Sequence, residues 1–278
     1  MRLGLHLSIV GSIDRVVDRA VDRDCNTLQM FSRNPRGWRF KELDSAEVES
    51  FRSKVKTSGV WPLFVHTPYL LNLASPREDV YEKSVEALKG ELRRADKLGA
   101  PYVVTHLGSH LGYGKRKGFR RIVDAINGSF SAVGNDVVLL LENTAGTRNS
   151  MGSSFEDIEY IASRIEDRAR VGVCFDTCHA FTAGYDLVSR GAVEHALRRF
   201  DEVIGLEELK LVHLNDSKGS LGSRIDRHEH IGRGKIGEKG FRNILHSRLG
   251  QLPLILETPI DERRNDVENL RKVRELAQ

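Results

Sequence analysis

Apolar positions change period repeatedly along this chain, recurring at every second residue over short runs and at every third or fourth over longer ones. Strands alternating with helices produce that pattern. Leu3–Leu7 reads as a strand, and Ser12 stands where it can cap a helix to about Arg23 whose Ile13, Val16, Val17 and Ala20 share a face. Leu28–Phe31 and Ala46–Val55 form a second strand and helix, and Val60–His66 opens a third unit. In the third helix, Ser75 and Glu78 form a capping-box pattern, Pro76 sits in the first turn, and the run ends at Leu98 before Gly99. Further strands are expected at Tyr102–Thr105, Val137–Leu141, Val171–Phe175, Leu209–Leu214 and Leu254–Leu256.

Eight strands separated by eight helical stretches imply parallel pairing and a closed (β/α)8 TIM barrel, although pattern alone leaves an open sheet possible. Across residues 1–278 no low-complexity stretch or Pro/Gly-rich linker divides the chain, which predicts a single domain. Gly108–Gly118 and Asp216–Gly237 read as long functional loops.

Composition narrows the function classes. With 40% hydrophobic residues the chain can fill a core, and a net charge of +4 permits an anionic partner while excluding histone-like bulk electrostatics. Three cysteines, Cys25, Cys174 and Cys178, are an odd and sparse set that fits reduced thiols, with Cys174 and Cys178 as small packing residues. No apolar run approaches the roughly 20 residues of a membrane-spanning helix, and the start MRLGLHLS has no signal-peptide apolar region. A cytoplasmic protein is expected.

The chemistry lies at the strand ends. His66, His106, Glu142, Asp176, His213 and Glu257 each stand at or beside the end of a strand, at intervals of 34 to 44 residues, one βα unit apart. A barrel brings those ends to one face. In VVLLLE, Val138 and Leu140 share a side with Glu142, which makes the carboxylate the top of an inward column, and Cys174 stands likewise below Asp176. An inward carboxylate is unfavourable unless it is paired or bound to a cation. Adjacent loops add His179, Asp226 and His228, and nine nitrogen and oxygen donors can serve more than one ion. Imidazole with carboxylate favours zinc, while manganese or iron could fit some positions. His110, His195, His230 and His246 lack a strand-end position and read as structural or solvated.

The segments GLHLS, FSRNPRGW, HTPYLLNLASP, ENTAG, VGVCFDTCHAFTAGYD, HLNDSKGSLGSRIDRHEHIGRGKIG and LILETP together resemble the endonuclease IV family over nearly the whole length. The resemblance implies a trinuclear zinc centre. One zinc would take His66, His106 and Glu142, with Glu142 bridging to a second that also takes Asp176, His213 and Glu257, and the third would take His179, Asp226 and His228. It further implies hydrolysis of the phosphodiester 5′ to abasic sites in duplex DNA during base excision repair, leaving a 3′-hydroxyl and a 5′-deoxyribose phosphate, with Glu142 also orienting the attacking water as the catalytic carboxylate. One departure is HLGSH, where Leu107 replaces a proline familiar in the family; the adjoining His106 is retained.

Reaching an abasic nucleotide requires its extrusion and a wedge to fill the gap. The resemblance points to Arg36, Tyr69 and Leu70 for that task, although packing beneath a loop is the alternative for the last two. Lys115, Arg116 and Lys117, and then Lys218, Arg224, Arg227, Arg233 and Lys235, fall in loops expected on the same face and suit phosphate contacts, unless they are simply solvated. A monomer acting on DNA is expected. Two rivals remain: a sugar isomerase or epimerase, which needs fewer metal ligands and no wedge, and a damage-binding module without turnover, which needs no metal cluster.

Overall fold

In the computed structural model, which describes residues 1–278, β1 (Leu3–Leu7) leads through α1 (Arg15–Asp22) to β2 (Thr27–Phe31). The unit repeats through α2 (Ser45–Ser58), β3 (Leu63–His66), α3 (Glu78–Leu98), β4 (Tyr102–Thr105), α4 (Lys115–Ala132), β5 (Val138–Glu142), α5 (Phe155–Ala162) and β6 (Val171–Asp176). Two helices, α6 (Thr177–Ala183) and α7 (Arg190–Val203), precede β7 (Leu209–His213). An antiparallel ribbon of β8 (Asp216–Ser217) and β9 (His228–Glu229) stands between β7 and α8 (Gly237–Leu245), and β10 (Leu254–Leu256) and α9 (Asp266–Leu276) follow. All strands except the ribbon pair in parallel, and β10 joins both β7 and β1, with Leu3 opposite Leu254. That last pairing excludes the open sheet: the fold is a closed, single-domain (β/α)8 TIM barrel.

Strand parity divides the core into two. Phe64, Val104, Leu140, Cys174, Leu211 and Ile255 fill the barrel interior, while their neighbours in the strands, such as Leu63, Val65, Val103, Leu139 and Leu141, pack outward against the helices. Glu142 lies two residues beyond Leu140, so it tops an inward column, with Cys174 opposite it and His213 opposite Asp176.

Several local boundaries differ from expectation. The third strand begins at Leu63 rather than Val60, because Pro62 has no N–H to give a ladder; its carbonyl accepts the Thr27 hydroxyl at 2.6 Å instead. The capping box at Ser75 does not form. The Ser75 hydroxyl accepts from the Arg77 N–H at 3.1 Å, and the helix starts only at Glu78, leaving Pro76 outside it. The helix does stop at Gly99, whose φ of 73° suits glycine. Ser12 likewise does not cap α1: Asp14 holds that position, and its carboxylate takes Ser12, Ser50 and Lys54, tying α1 to α2. Asp44 caps α2 by accepting from the Ala46 and Glu47 N–H groups. The expected loop Gly108–Gly118 ends early, and Lys115, Arg116 and Lys117 form the exposed first turn of α4. All three cysteines are buried and unpaired.

Candidate metal centre

The six strand-end side chains meet at the C-terminal mouth of the barrel, and α6 and the β8–β9 ribbon bring the other three to them. Donor atoms of His66, His106 and Glu142 lie within 4.8 Å of one another, as do those of Glu142, Asp176, His213 and Glu257, and those of His179, Asp226 and His228. Glu142 is shared by the first two groups. Its Oε2 lies 3.2 Å from His66 Nε2 and 3.6 Å from His106 Nδ1, and its Oε1 lies 3.1 Å from His213 Nδ1 and 3.4 Å from His179 Nδ1. Asp176 Oδ2 stands 3.9 Å from His213 Nδ1 and 3.7 Å from His228 Nε2, so it joins the second group to the third. Asp226 is half-exposed and closes the third group, 3.2 Å from His179 Nε2 and 3.8 Å from His228 Nε2. Cys178 Sγ also lies near Asp176 and His228, though it faces the Arg227 carbonyl at 3.8 Å.

The backbone explains why the last three arrive. Asp176 ends β6 and caps α6, accepting the His179 N–H at 2.7 Å, which turns the His179 ring back over the mouth. Asp226 and His228 lie on a long loop whose ends are gathered by the fully buried Asp216. That carboxylate accepts from the backbone N–H groups of Ser217, Gly232, Gly234, Ile236 and Gly237 at 2.8–3.4 Å. A Cβ at Gly234 would stand 2.4 Å from Asp216 Oδ1, so only glycine allows this approach. Burial pushes the Asp216 carboxyl upward in pKa against the pull of these donors.

The arrangement fits divalent cations with nitrogen and oxygen ligands. His66 Nδ1 faces the Thr67 carbonyl at 2.7 Å, His179 Nδ1 the Asn143 carbonyl at 2.9 Å, His228 Nδ1 the Glu257 carbonyl at 3.0 Å, and His213 Nε2 the Gln29 Oε1 at 2.8 Å. Each ring thus has one nitrogen facing an acceptor and the other turned toward carboxylates, the pattern expected around metal-binding histidines. His228 Nε2 is buried without any hydrogen-bond partner. The charges are mutually dependent. Burial alone would raise Glu142, but His106, His213 and His179 hold it well below the usual carboxylate range. Burial opposes the charged form of His179 as well, yet Asp176, Asp226 and Glu142 keep its pKa well above the ordinary value. Asp226 is held at about 2 by His179 against its own burial.

The expected DNA-contact residues rim this mouth to different degrees. Arg36 is exposed on the β2–α2 loop, Tyr69 is 63% exposed with its ring edge-on to Phe31, Leu70 is partly buried, and Arg227 is exposed between Asp226 and His228. Lys218, Arg224, Arg233 and Lys235 are also exposed. Lys115, however, pairs with Asp157 at 2.7 Å, and Lys117 lies over the Tyr113 ring. Of the remaining histidines, His230 is fully buried between Asp261 and Asn269, a structural position. His6, Gln29, Asn143, Asn215 and Asp216 surround the nine and have no counterpart among the expected site residues. Inward parity, opposite to Leu5 and Leu28, was the available signal for His6 and Gln29.

A family model described as a xylose isomerase-like TIM barrel matches residues 17–277. A Methanoculleus marisnigri protein described as "Probable endonuclease 4" is 56% identical over 277 residues, spanning 99% of this chain and 98% of that protein. The crystal structure of endonuclease IV from Thermus thermophilus superposes with a TM-score of 0.86 at 38% identity, covering 99% of this chain and 97% of the other. A D-tagatose 3-epimerase-like protein shares the fold alone, with a TM-score of 0.72 at 20% identity over 99% of this chain and 95% of that one.

Proposed function

The chain belongs to the endonuclease IV family, and from that premise we propose that it is a zinc-dependent DNA-repair endonuclease that hydrolyses the phosphodiester 5′ to abasic sites in duplex DNA, leaving a 3′-hydroxyl and a 5′-deoxyribose phosphate. The observation that carries this reading is the convergence of nine histidine and carboxylate side chains into three groups joined through Glu142 and Asp176. His66, His106 and Glu142 would hold one zinc, Glu142 with Asp176, His213 and Glu257 a second, and His179, Asp226 and His228 a third. Zinc in such a site neutralises phosphate oxygens, makes water nucleophilic at neutral pH and stabilises a leaving alkoxide.

The protein's own groups do the positioning. Glu142 is buried and surrounded by imidazoles that keep it ionised, so it can orient the attacking water by accepting a hydrogen bond. Arg36, Tyr69 and Leu70 would enter the duplex where the abasic nucleotide is extruded, the exposed Tyr69 ring being braced from behind by Phe31. Arg227 and its basic neighbours would hold the flanking phosphates. No helix is long and apolar enough to cross a membrane, and a monomer working in the cytoplasm completes the reading.

The test is nicking of a synthetic abasic duplex without added magnesium. Turnover that a chelator abolishes and zinc restores is expected, with Glu142→Gln folded but slower by a factor of about 100 or more, the scale for losing a positioned general base. Chelator-resistant nicking, or a Glu142→Gln rate close to the parent, would overturn the assignment.

A further inference from the structure

Gln29 is an amide in the middle of β2, facing inward beside Phe64 in a barrel interior otherwise lined with apolar side chains. A buried amide is unfavourable unless its hydrogen bonds are made, and this one is fully buried. Its Oε1 lies 2.8 Å from His213 Nε2, and its Nε2 lies 2.8 Å from Glu257 Oε1 and 3.0 Å from His6 Nδ1. His6 Nδ1 is itself 2.9 Å from the same Glu257 oxygen.

These contacts orient one another. Amide O and N are chemically distinguishable here because a carboxylate oxygen can only accept, so the NH2 group must face Glu257 and the carbonyl must face His213. His213 Nε2 therefore carries a proton toward Gln29, which leaves Nδ1 as the nitrogen turned to the carboxylates and available to a metal. That Nδ1 lies 3.1 Å from Glu142 and 3.3 Å from Glu257 Oε2. Glu257 Oε1 accepts from Gln29 and, with the His6 proton on Nδ1, from His6, while Oε2, 3.5 Å from Asn215 Nδ2, is the oxygen turned toward His213. His6 Nε2 has no hydrogen-bond partner, so His6 makes its polar contact through Nδ1 alone.

We propose that Gln29, assisted by His6, is a positioning residue: one amide sets the tautomer of His213 and selects which oxygen of Glu257 faces it, directing both to the point where the second metal would bind. The inference rests on the metal reading above and adds to it a specific source of affinity at one of the three groups. Neither residue hydrogen-bonds to a member of the other two groups, although the His6 ring lies 5.8 Å from that of His66, so the main effect falls on the group of Glu142, Asp176, His213 and Glu257.

The test uses Gln29→Leu, which keeps the side chain's bulk and removes both the acceptor and the donor. Purified parent and variant are titrated with a chromophoric chelator, and retained zinc is counted by elemental analysis. For loss of a residue that orients a metal ligand, one zinc per chain is expected to bind about 10–100-fold more weakly, with the other two released as in the parent. His6→Phe should weaken the same zinc to a smaller extent. Val104→Ala, a cavity in the same apolar barrel interior, controls for simple loosening of the barrel and should release zinc as the parent does. Retention by Gln29→Leu equal to the parent, in a parent that holds three zinc ions, overturns the positioning role and leaves the metal reading intact. Equal loss in Val104→Ala assigns the effect to packing and overturns it too. A parent that binds no zinc overturns both.

Discussion

Replacing Asp216 by asparagine should disable the third ligand group without touching any of its members. The native carboxylate gathers five backbone N–H groups, with Oδ1 accepting from Ser217, Ile236 and Gly237 and Oδ2 from Gly232 and Gly234. Asparagine offers one acceptor oxygen, so in either orientation at least two N–H groups, those of the partly buried Gly232 and Gly234 in the better case, lose a partner and face an NH2 instead. At roughly 1–3 kcal/mol for each unsatisfied group the loss is about 2–6 kcal/mol. The lower half of that range is expected, because the variant no longer buries a charge whose ionisation the site already resists. The penalty falls on the loop between β8 and α8, which carries Asp226 and His228, while the barrel strands keep their ladders. Amide hydrogen exchange should therefore quicken across residues 216–237 and little elsewhere, zinc content should fall by about one per chain, and turnover on an abasic duplex should drop. A variant with native exchange in that segment and an undiminished zinc count would refute the view that Asp216 gathers this loop.

The remaining predictions concern charge and burial. Binding to an abasic duplex should weaken steeply with salt, and Arg227→Ala should reduce the slope of log K against log salt by about one; an unchanged slope removes Arg227 from the phosphate contacts. The Lys54 ammonium, with the Ser12 and Ser50 hydroxyls, holds Asp14 well below the usual carboxylate range. A depressed carboxylate contributes stability above its unfolded pKa of about 3.9 and loses it as pH falls toward the folded value. Asp14→Asn should accordingly flatten the acid limb of the urea-unfolding profile below about pH 4, and an unchanged limb would count against the link between α1 and α2. Burial pushes the Cys25 thiol up to about 12, and the other two cysteines are equally enclosed. Ellman's reagent should label no thiol in the native protein and three in guanidinium, and rapid native labelling would place a cysteine at the surface.

The fold was legible because its two periods are strong: inward Val138, Leu140 and Glu142 against outward Leu139 and Leu141 identify a barrel strand and its top from sequence parity alone. The six strand-end members of the nine were legible for the same reason, whereas His179, Asp226 and His228 lie in α6 and around the β8–β9 ribbon and were singled out by their place in adjacent loops and by the family resemblance. Capping was less so. Ser75 and Glu78 have the right spacing, but the Asn72–Ser75 turn claims the serine first. His6 and Gln29 carried the parity signal, yet a neutral amide two residues short of a strand end reveals its purpose only when Glu257 and His213 are seen beside it. Asp216 was further from reach, because its partners lie up to 21 residues later and no period links a carboxylate to a scatter of backbone N–H groups. Lys115–Lys117 belong to a helix rather than to the expected loop, because that loop ends where α4 begins.

The barrel is not diagnostic by itself, as the shared fold of an epimerase-like protein at 20% identity makes plain. The six strand-end residues belong to the rigid barrel, and six such donors could equally serve one or two cations on a small sugar. What separates the chemistries here is an addition to the barrel: α6 and the β8–β9 loop deliver His179 and His228 against Asp176 and Asp226 against those two histidines, and the same loops present Arg227 outward. A candidate metal group built from excursions rather than strands needs contacts of its own to hold it, and the Asp216 hub and the Asp176 cap supply them. Extra cationic charge at an open rim, where Asp226 is half-exposed, suits a substrate too large to enter the barrel and negatively charged along its length. A duplex backbone meets both conditions, and an enclosed monosaccharide meets neither.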